Sequence, residues 1–530
     1  MKRISIIFLL LISIVSKGVK AQEKPNIIFI VADDLGYSDL GAYGGEIKTP
    51  NLDKLANEGV KLSNMHNASM CILSRSSFLT GKWWPKAGEG ITKSKNIAQQ
   101  LKANGYKTGI VGKWHLDGEP NNKGFDYFFG FLGGFSNYYK GSKDYRINQT
   151  PFTNFGPDFY STDAFTDKAI DFLNNTNKED KQPFFLYLSY QAPHNPLQAP
   201  KEDIMKYRGT YLKGWQAVRD TRIKNQINLG LVNPGTAIPA YPQNLPAWET
   251  LTPEQKDLED LRMSVYAAMV ERMDKGIGRL MEVIKANGQA SNTFIIFISD
   301  NGTDSFSVVD KAMLKQGLLP GDPNSNYQPG TGWAYASVAP FRLYKISQHG
   351  GGVKTGAIAW GPSVFKKSNA IISAPLHIVD VVPTVLDIVS SKNKTDHILD
   401  SLSGKSFLNI LNGKCFKPTN PMYFQYMDNR AIRTNKWTLA EVDGGGWELY
   451  NIKKDPYEVN NIVQNHPKLV AKLETNWLNW WKTESGTHTY VPESTKEDPN
   501  YKPQGDRGSG ALYTPSAMPA ELSNKYKKSK

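Results

Sequence analysis

The chain has 530 residues, 40% of them hydrophobic, and a formal net charge of +13. That length and composition can bury a large core and leave room for a smaller satellite, which excludes a disordered or low-complexity chain. Two cysteines in the whole sequence exclude a disulfide framework, and a bridge between Cys71 and Cys415 is not expected.

Met1 to Ala21 opens with Lys2-Arg3, continues through the apolar run Ile4 to Val15 and ends Gly-Val-Lys-Ala. This has the form of a secretory leader and is too short to span a bilayer. Export is therefore expected, to the periplasm or the medium, with no membrane anchor. Loss of the four basic leader residues takes the charge to +9, a moderate excess that suits an anionic substrate and equally well solubility. No nucleic-acid partner is expected.

Four later segments share one design. Asn26 to Ala32 is a continuous β-branched apolar run that ends in Asp33-Asp34, the mark of a strand buried on both faces. Lys107 to Gly112 runs out into Lys113-Trp114-His115, Phe184 to Ser189 into Ala192-Pro193-His194, and Thr293 to Ser299 into Asp300-Asn301-Gly302. Helical stretches lie between them, at 49–58, 97–104, 161–174 and 258–287. The alternation predicts an α/β fold with a large, mostly parallel central sheet flanked by helices. Ligands in such folds bind beyond the carboxyl ends of the strands, so Asp33, Asp34, Lys113, His115, His194, Asp300 and Asn301 should crowd one rim.

Between the first two strands lies Met-Cys-Ile-Leu-Ser-Arg-Ser-Ser-Phe-Leu-Thr-Gly-Lys, from Met70. It reads as a loop entering a short helix that stops at Gly81, with Cys71 near the N-terminus and Arg75 on the same face. That setting is expected to lower the thiol pKa. An isolated C-x-x-x-R is most often a buried cysteine beside an exposed arginine; the rim is what raises its standing. Three carboxylates and an amide oxygen form a hard ligand set suited to calcium or magnesium. Cationic donors, imidazoles and a sulfur-derived nucleophile suit displacement at a phosphate or sulfate ester.

The aromatic run 125–139 and Trp83-Trp84 could pack in the core or stack on sugar rings near the rim. Core packing is the reading for the phenylalanines, and a polar partner is expected for the hydroxyls of Tyr138 and Tyr139. His377 reads as a packed structural histidine, and His66, His397, His466 and His488 are given no role. The Pro-, Gly- and Trp-rich segment 201–248 reads as an excursion that walls the pocket. Further on, 430–440 and 447–452 read as two strands around a glycine turn, followed by a helix over 467–481. The organisation expected is a leader at 1–21, a catalytic α/β domain at 22–393, a C-terminal subdomain with a small antiparallel sheet at 394–484, and a tail at 485–530 that wraps the surface or is mobile.

Taken in order, Ile-Phe-Ile-Val-Ala-Asp-Asp-Leu-Gly-Tyr from Ile28, Thr-Pro-Asn-Leu-Asp-Lys-Leu-Ala from Thr49, Cys71 to Gly81, Gly-Lys-Trp-His from Gly112, Ala-Pro-His from Ala192 and Ser-Asp-Asn-Gly from Ser299 resemble the formylglycine-dependent, arylsulfatase-like sulfatases of the alkaline phosphatase superfamily. The resemblance implies that a formylglycine-generating maturation enzyme oxidises Cys71, and that the hydrate attacks sulfur. It implies one calcium ion per chain, held by Asp33, Asp34, Asp300 and Asn301 with the group derived from Cys71. Arg75 would steady the hydrate, while Lys113 and Lys345 would grip sulfate oxygens. His194 would protonate the leaving alcohol, and His115 would assist return of the aldehyde. The implied substrate is an anionic sulfated small molecule or glycan. A phosphoester or phosphonate hydrolase and a non-catalytic calcium-containing glycan-binding relative are the alternatives. This chain has Leu73 where the family's maturation signal has Pro or Ala, and His349-Gly350-Gly351-Gly352 where many relatives have Glu-Gly-Gly.

Overall fold

The computed structural model describes residues 24–178, 182–307, 310–390, 401–442, 444–487, 489–492 and 513–527. The leader at 1–21, the expected junction at 393/394, His397, His488 and most of the tail, including 506–510, lie outside them.

Eleven strands form the main sheet. They are β1 (Asn26–Asp33), β2 (Val60–His66), β3 (Lys107–Lys113), β4 (Tyr127–Phe131), β5 (Tyr145–Ile147), β6 (Thr150–Pro151), β7 (Phe184–Pro193), β8 (Thr293–Ser299), β9 (Lys354–Trp360), β10 (Ala370–Ile372) and β11 (Leu376–His377). The order is β10-β2-β9-β8-β1-β7-β3-β4-β5-β6, with β11 also on β2. The centre, β8-β1-β7-β3-β4, is parallel, whereas β9 runs antiparallel to both of its neighbours. The sheet is thus mixed and mostly parallel, as the alternation of strands and helices predicts.

Each central strand feeds two cores because its side chains alternate. Ile28, Ile30 and Ala32 of β1 enter the cluster under the long helix Pro253–Ala286. Ile27, Phe29 and Val31 enter the opposite cluster with Phe78 and Val382. Register then fixes the rim: Ala32 pairs with Ser299, Asp33 with Pro193, and Gly112 with Ser189, so the polar residues after each strand emerge level with one another. At Gly112 φ is +111°, and a Cβ there would lie 1.9 Å from the Ser189 carbonyl oxygen. Only glycine allows β3 to approach β7 so closely just before Lys113.

The C-terminal sheet has four antiparallel strands, β12 (Met422–Tyr426), β13 (Asn429–Arg433), β14 (Trp437–Glu441) and β15 (Trp447–Asn451), in sequential order. The stretch read as one strand at 430–440 is a hairpin. Thr434 turns it, its Oγ1 accepting from the Trp437 N–H at 2.9 Å. The helix Pro467–Ser485 covers this sheet through Leu473 and Trp477. Residues 513–527 of the tail lie against the long helix, where Tyr513 donates to Glu259 at 2.8 Å.

Candidate active site

Cys71 is the first residue of the helix Cys71–Thr80, which ends at Gly81 in the left-handed region, φ 67°. Every residue of that helix except Ile72 is buried. The Ser74 hydroxyl accepts from the Ala68 N–H at 3.0 Å and shapes the loop that delivers Cys71 to the rim. Burial pushes the Cys71 thiol up to about 12, only partly offset by Lys113 and Lys345. This corrects the expectation of a lowered pKa: desolvation outweighs the helix terminus and its cationic neighbours.

The rim residues converge. Lys113, wholly buried, donates to Asp33 Oδ2 at 2.6 Å. Lys345 donates to both Asp34 oxygens, at 2.7 and 2.8 Å. Asp34 itself sits in the left-handed region, φ 63°, which turns its carboxylate away from the strand direction and toward Lys345. Arg75 grips Asp300 Oδ2 with Nε and Nη2, at 3.0 and 2.8 Å, and donates through Nη1 to the Lys113 carbonyl, Tyr187 and Ser189. Three buried carboxylates are thus matched by three buried cations.

Burial works against ionisation of Asp33, but Lys113, His194, Arg75 and Lys345 hold its carboxyl far below the usual range. Asp300 goes the other way, to about 7, because burial and the charge of Asp33 outweigh Arg75. His194 lies with Nε2 3.6 Å from Asp34 Oδ2, while Nδ1 donates to the Asn195 carbonyl at 2.7 Å. Burial lowers its pKa against the pull of Asp33 and Asp34. His115, at φ 52°, keeps a neutral ring through burial beside Lys113 and Arg75.

Ligand atoms of Asp33, Asp34, Cys71 and His194 all lie within 4.8 Å of one another. Asp300 and Asn301 join through Asp34, whose N–H donates to Asp300 Oδ1 at 3.4 Å and whose Oδ1 accepts from the Asn301 amide. Two acceptors of this cluster, Asp33 Oδ1 and Asn301 Oδ1, are buried without a hydrogen-bond partner. Orphaned hard oxygens beside a charged carboxylate fit a divalent cation of the calcium or magnesium type.

Sequence reading missed Ser189 and Tyr187, which face Arg75 from inside β7. It also missed Gln348, whose amide donates to the Ser69 hydroxyl at 2.8 Å and braces the Cys71 loop. Among the aromatics, Tyr138 has the polar partner expected of it, Trp83 and Trp84 take the core alternative, and Phe135 alone overturns its core reading. Tyr138 is fully buried on Tyr160 and gives its hydroxyl to the His194 carbonyl at 2.9 Å. Trp83 and Trp84 pack on Trp480 and Trp481 of the C-terminal helix, away from the rim. Phe135, grouped with core phenylalanines, is 55% exposed, and its ring lies 6.3 Å from that of His194 at an interplanar angle of 16°. Its signal was the flanking Gly133-Gly134 and Ser136, which interrupt the aromatic run. Cys71 and Cys415 are both free.

The family model described as Sulfatase matches residues 25–391. An uncharacterized sulfatase of Schizosaccharomyces pombe is 34% identical over 90% of this chain and 97% of its own. The arylsulfatase of Klebsiella aerogenes is 33% identical, over 69% of this chain and 87% of its own. Among solved structures, Ps i-CgsB in complex with k-i-k-neocarrahexaose superposes with a TM-score of 0.64 at 26% identity, covering 89% of this chain and 96% of that one. With a matching family model over most of the chain, and a rim of cations and carboxylates shaped for an oxyanion, the chain belongs to the sulfatase family, the sulfuric ester hydrolases.

Proposed function

We propose that this sulfatase hydrolyses sulfate esters of carbohydrates by means of a formylglycine made from Cys71. The observation that carries the carbohydrate reading is Phe135: an aromatic face, more than half exposed, lying beside His194 where a leaving alcohol would depart. Aromatic faces pack well on the C–H face of a sugar ring. The resemblance to Ps i-CgsB, solved in complex with k-i-k-neocarrahexaose, supports the same class. Export to the periplasm or medium, where such glycans are met, is part of the proposal.

In this reading the oxidised Cys71 supplies a gem-diol nucleophile. Asp33, Asp34, Asp300 and Asn301 would hold calcium, with the group at 71 beside them, and the ion would supply positive charge to the sulfate oxygens. Lys113 and Lys345 steady the same oxygens as charge grows on them. Arg75 fixes Asp300 and the end of β3. In its charged form, which Asp33 and Asp34 favour against burial, His194 carries a proton on Nε2 as well as the Nδ1–H held by the Asn195 carbonyl, and passes the Nε2 proton to the departing alcohol. His115 takes one from the hydrate oxygen that remains.

The test pairs a sulfated monosaccharide, galactose 6-sulfate, with a short alkyl sulfate that has no ring, and each with its phosphate counterpart. Phe135→Ala should raise KM on the sugar sulfate roughly tenfold, corresponding to about 1.4 kcal/mol of stacking, and leave KM on the alkyl sulfate within twofold. Equal losses on both esters would remove the stacking argument. Faster turnover of the phosphates would reassign the substrate.

A further inference from the structure

Where β2 and β9 meet the C-terminal sheet there is a cleft of about 230 Å³ that shares no lining residue with the catalytic rim. Its walls are aromatic on one side: Tyr37 and Phe341 have ring centroids 5.0 Å apart, and Phe341 and Tyr457 5.5 Å. The other side is cationic. Arg433, 3% exposed, lines the cleft and keeps its Nε buried without a partner. Lys354 lines it as well, and its ammonium makes no hydrogen bond or ion pair with any described residue. It lies over the Phe341 ring, 5.0 Å from the centroid.

One carboxylate stands near these cations, Glu458, and it is already used. Its Oε1 pairs with Arg433 at 2.6 Å and its Oε2 accepts from the Gly350 N–H at 2.9 Å. His66 gives Nδ1–H to the Leu376 carbonyl at 3.0 Å, which leaves Nε2 as an acceptor for a hydroxyl. The cleft therefore offers a surplus cation, a hydroxyl acceptor and a flat apolar wall. A volume of about 230 Å³, roughly eight waters' worth, accommodates one sugar ring and a substituent.

We propose that this cleft is a second ligand site, for a single sugar unit bearing one sulfate or carboxylate group. The structural alternative is a lysine content with its cation–π contact. That contact leaves the charge unmatched: desolvation and the neighbouring Arg433 push Lys354 down to about 7, with only Glu458 pulling the other way. A cation kept at that cost wants an anion. The site does not depend on which ester the catalytic rim hydrolyses.

Calorimetric titration of the full-length protein decides it. Glucuronate supplies the carboxylate arm, galactose 6-sulfate with Cys71→Ala the sulfate arm, and galactose is the uncharged control. One equivalent of glucuronate should bind to the wild-type chain and galactose should not. Lys354→Met should weaken glucuronate at least tenfold, Lys354→Arg should keep it, and Lys113→Ala should leave it in place. Galactose 6-sulfate should show two sites on Cys71→Ala if the cleft also takes sulfate, and one if it takes carboxylate alone. Equal binding by all the Lys354 variants, no binding of either anion, or loss of the glucuronate site with Lys113→Ala would overturn the proposal.

Discussion

Arg75 hydrogen-bonds groups from three strands, Asp300 beyond β8, the Lys113 carbonyl of β3, and Tyr187 and Ser189 of β7, and its Nη2 lies 3.9 Å from Asp33 of a fourth, β1. It ties the strand ends of the rim together. Arg75→Met should cost about 3–5 kcal/mol in urea denaturation, because it strands a buried carboxylate, and lower kcat/KM more than 100-fold. Arg75→Lys keeps the charge but lacks the planar fork, so it should recover most of the stability and little of the activity. A second residue-scale prediction concerns Lys354, whose pKa is lower folded than unfolded. Between about 7 and the unfolded value near 10.4 the unfolded chain binds the extra proton, so stability rises with pH across that window. The thermal midpoint of Lys354→Met should exceed wild type at pH 7, and the gap should close toward pH 10.

At the scale of elements, the helix Cys71–Thr80 bears on the Leu73 departure. Leu73 is the third helical residue, and the first N–H groups of a helix have no partner within it. Proline there removes no helical hydrogen bond and suits the backbone angle, at the cost of one buried side chain. Leu73→Pro should therefore fold, and raise the formylglycine fraction and specific activity by the same factor in a foreign host. Mass spectrometry of the Cys71 peptide beside turnover of an aryl sulfate measures both. The four central strands were legible because each is an apolar run stopped by a polar cluster, and that same punctuation exposed the rim. β2 and β9 were not: Lys61, Ser63 and Asn64 break the apolar run of β2, and β9 enters antiparallel straight after the one-turn helix Gly350–Val353, whose three glycines carry no helical signal. Ser189 and Tyr187 escaped because a hydroxyl inside a strand carries no mark of the arginine it will meet. The hairpin at Thr434 was missed because neither glycine nor proline announces it.

On the scale of the whole molecule, the C-terminal sheet is joined to the rim through the 349–352 turn. His349 Nε2 meets Glu448 Oε2 of β15 at 2.7 Å, and the Gly350 N–H meets Glu458. Gly302, next to Asn301, donates to the Gly352 carbonyl at 3.0 Å. A Cβ on Gly302 would lie 1.8 Å from the Gly351 oxygen, so the turn is pressed directly against the rim. Glu458→Ala, far along the chain from any reacting group, should cost about 3–5 kcal/mol by leaving Arg433 uncompensated and should lower kcat as the turn loosens. Unchanged kcat in a destabilised variant would show the two parts to be mechanically independent. The burial of nearly the whole Cys71 helix has a consequence in time. A modifying enzyme can reach that cysteine only while the chain is still unfolded, so in the proposed scheme oxidation and folding compete once per molecule. A chain that folds first keeps its thiol for life, and a population's activity is set during synthesis as a fixed fraction that no later exposure to the modifying enzyme can raise.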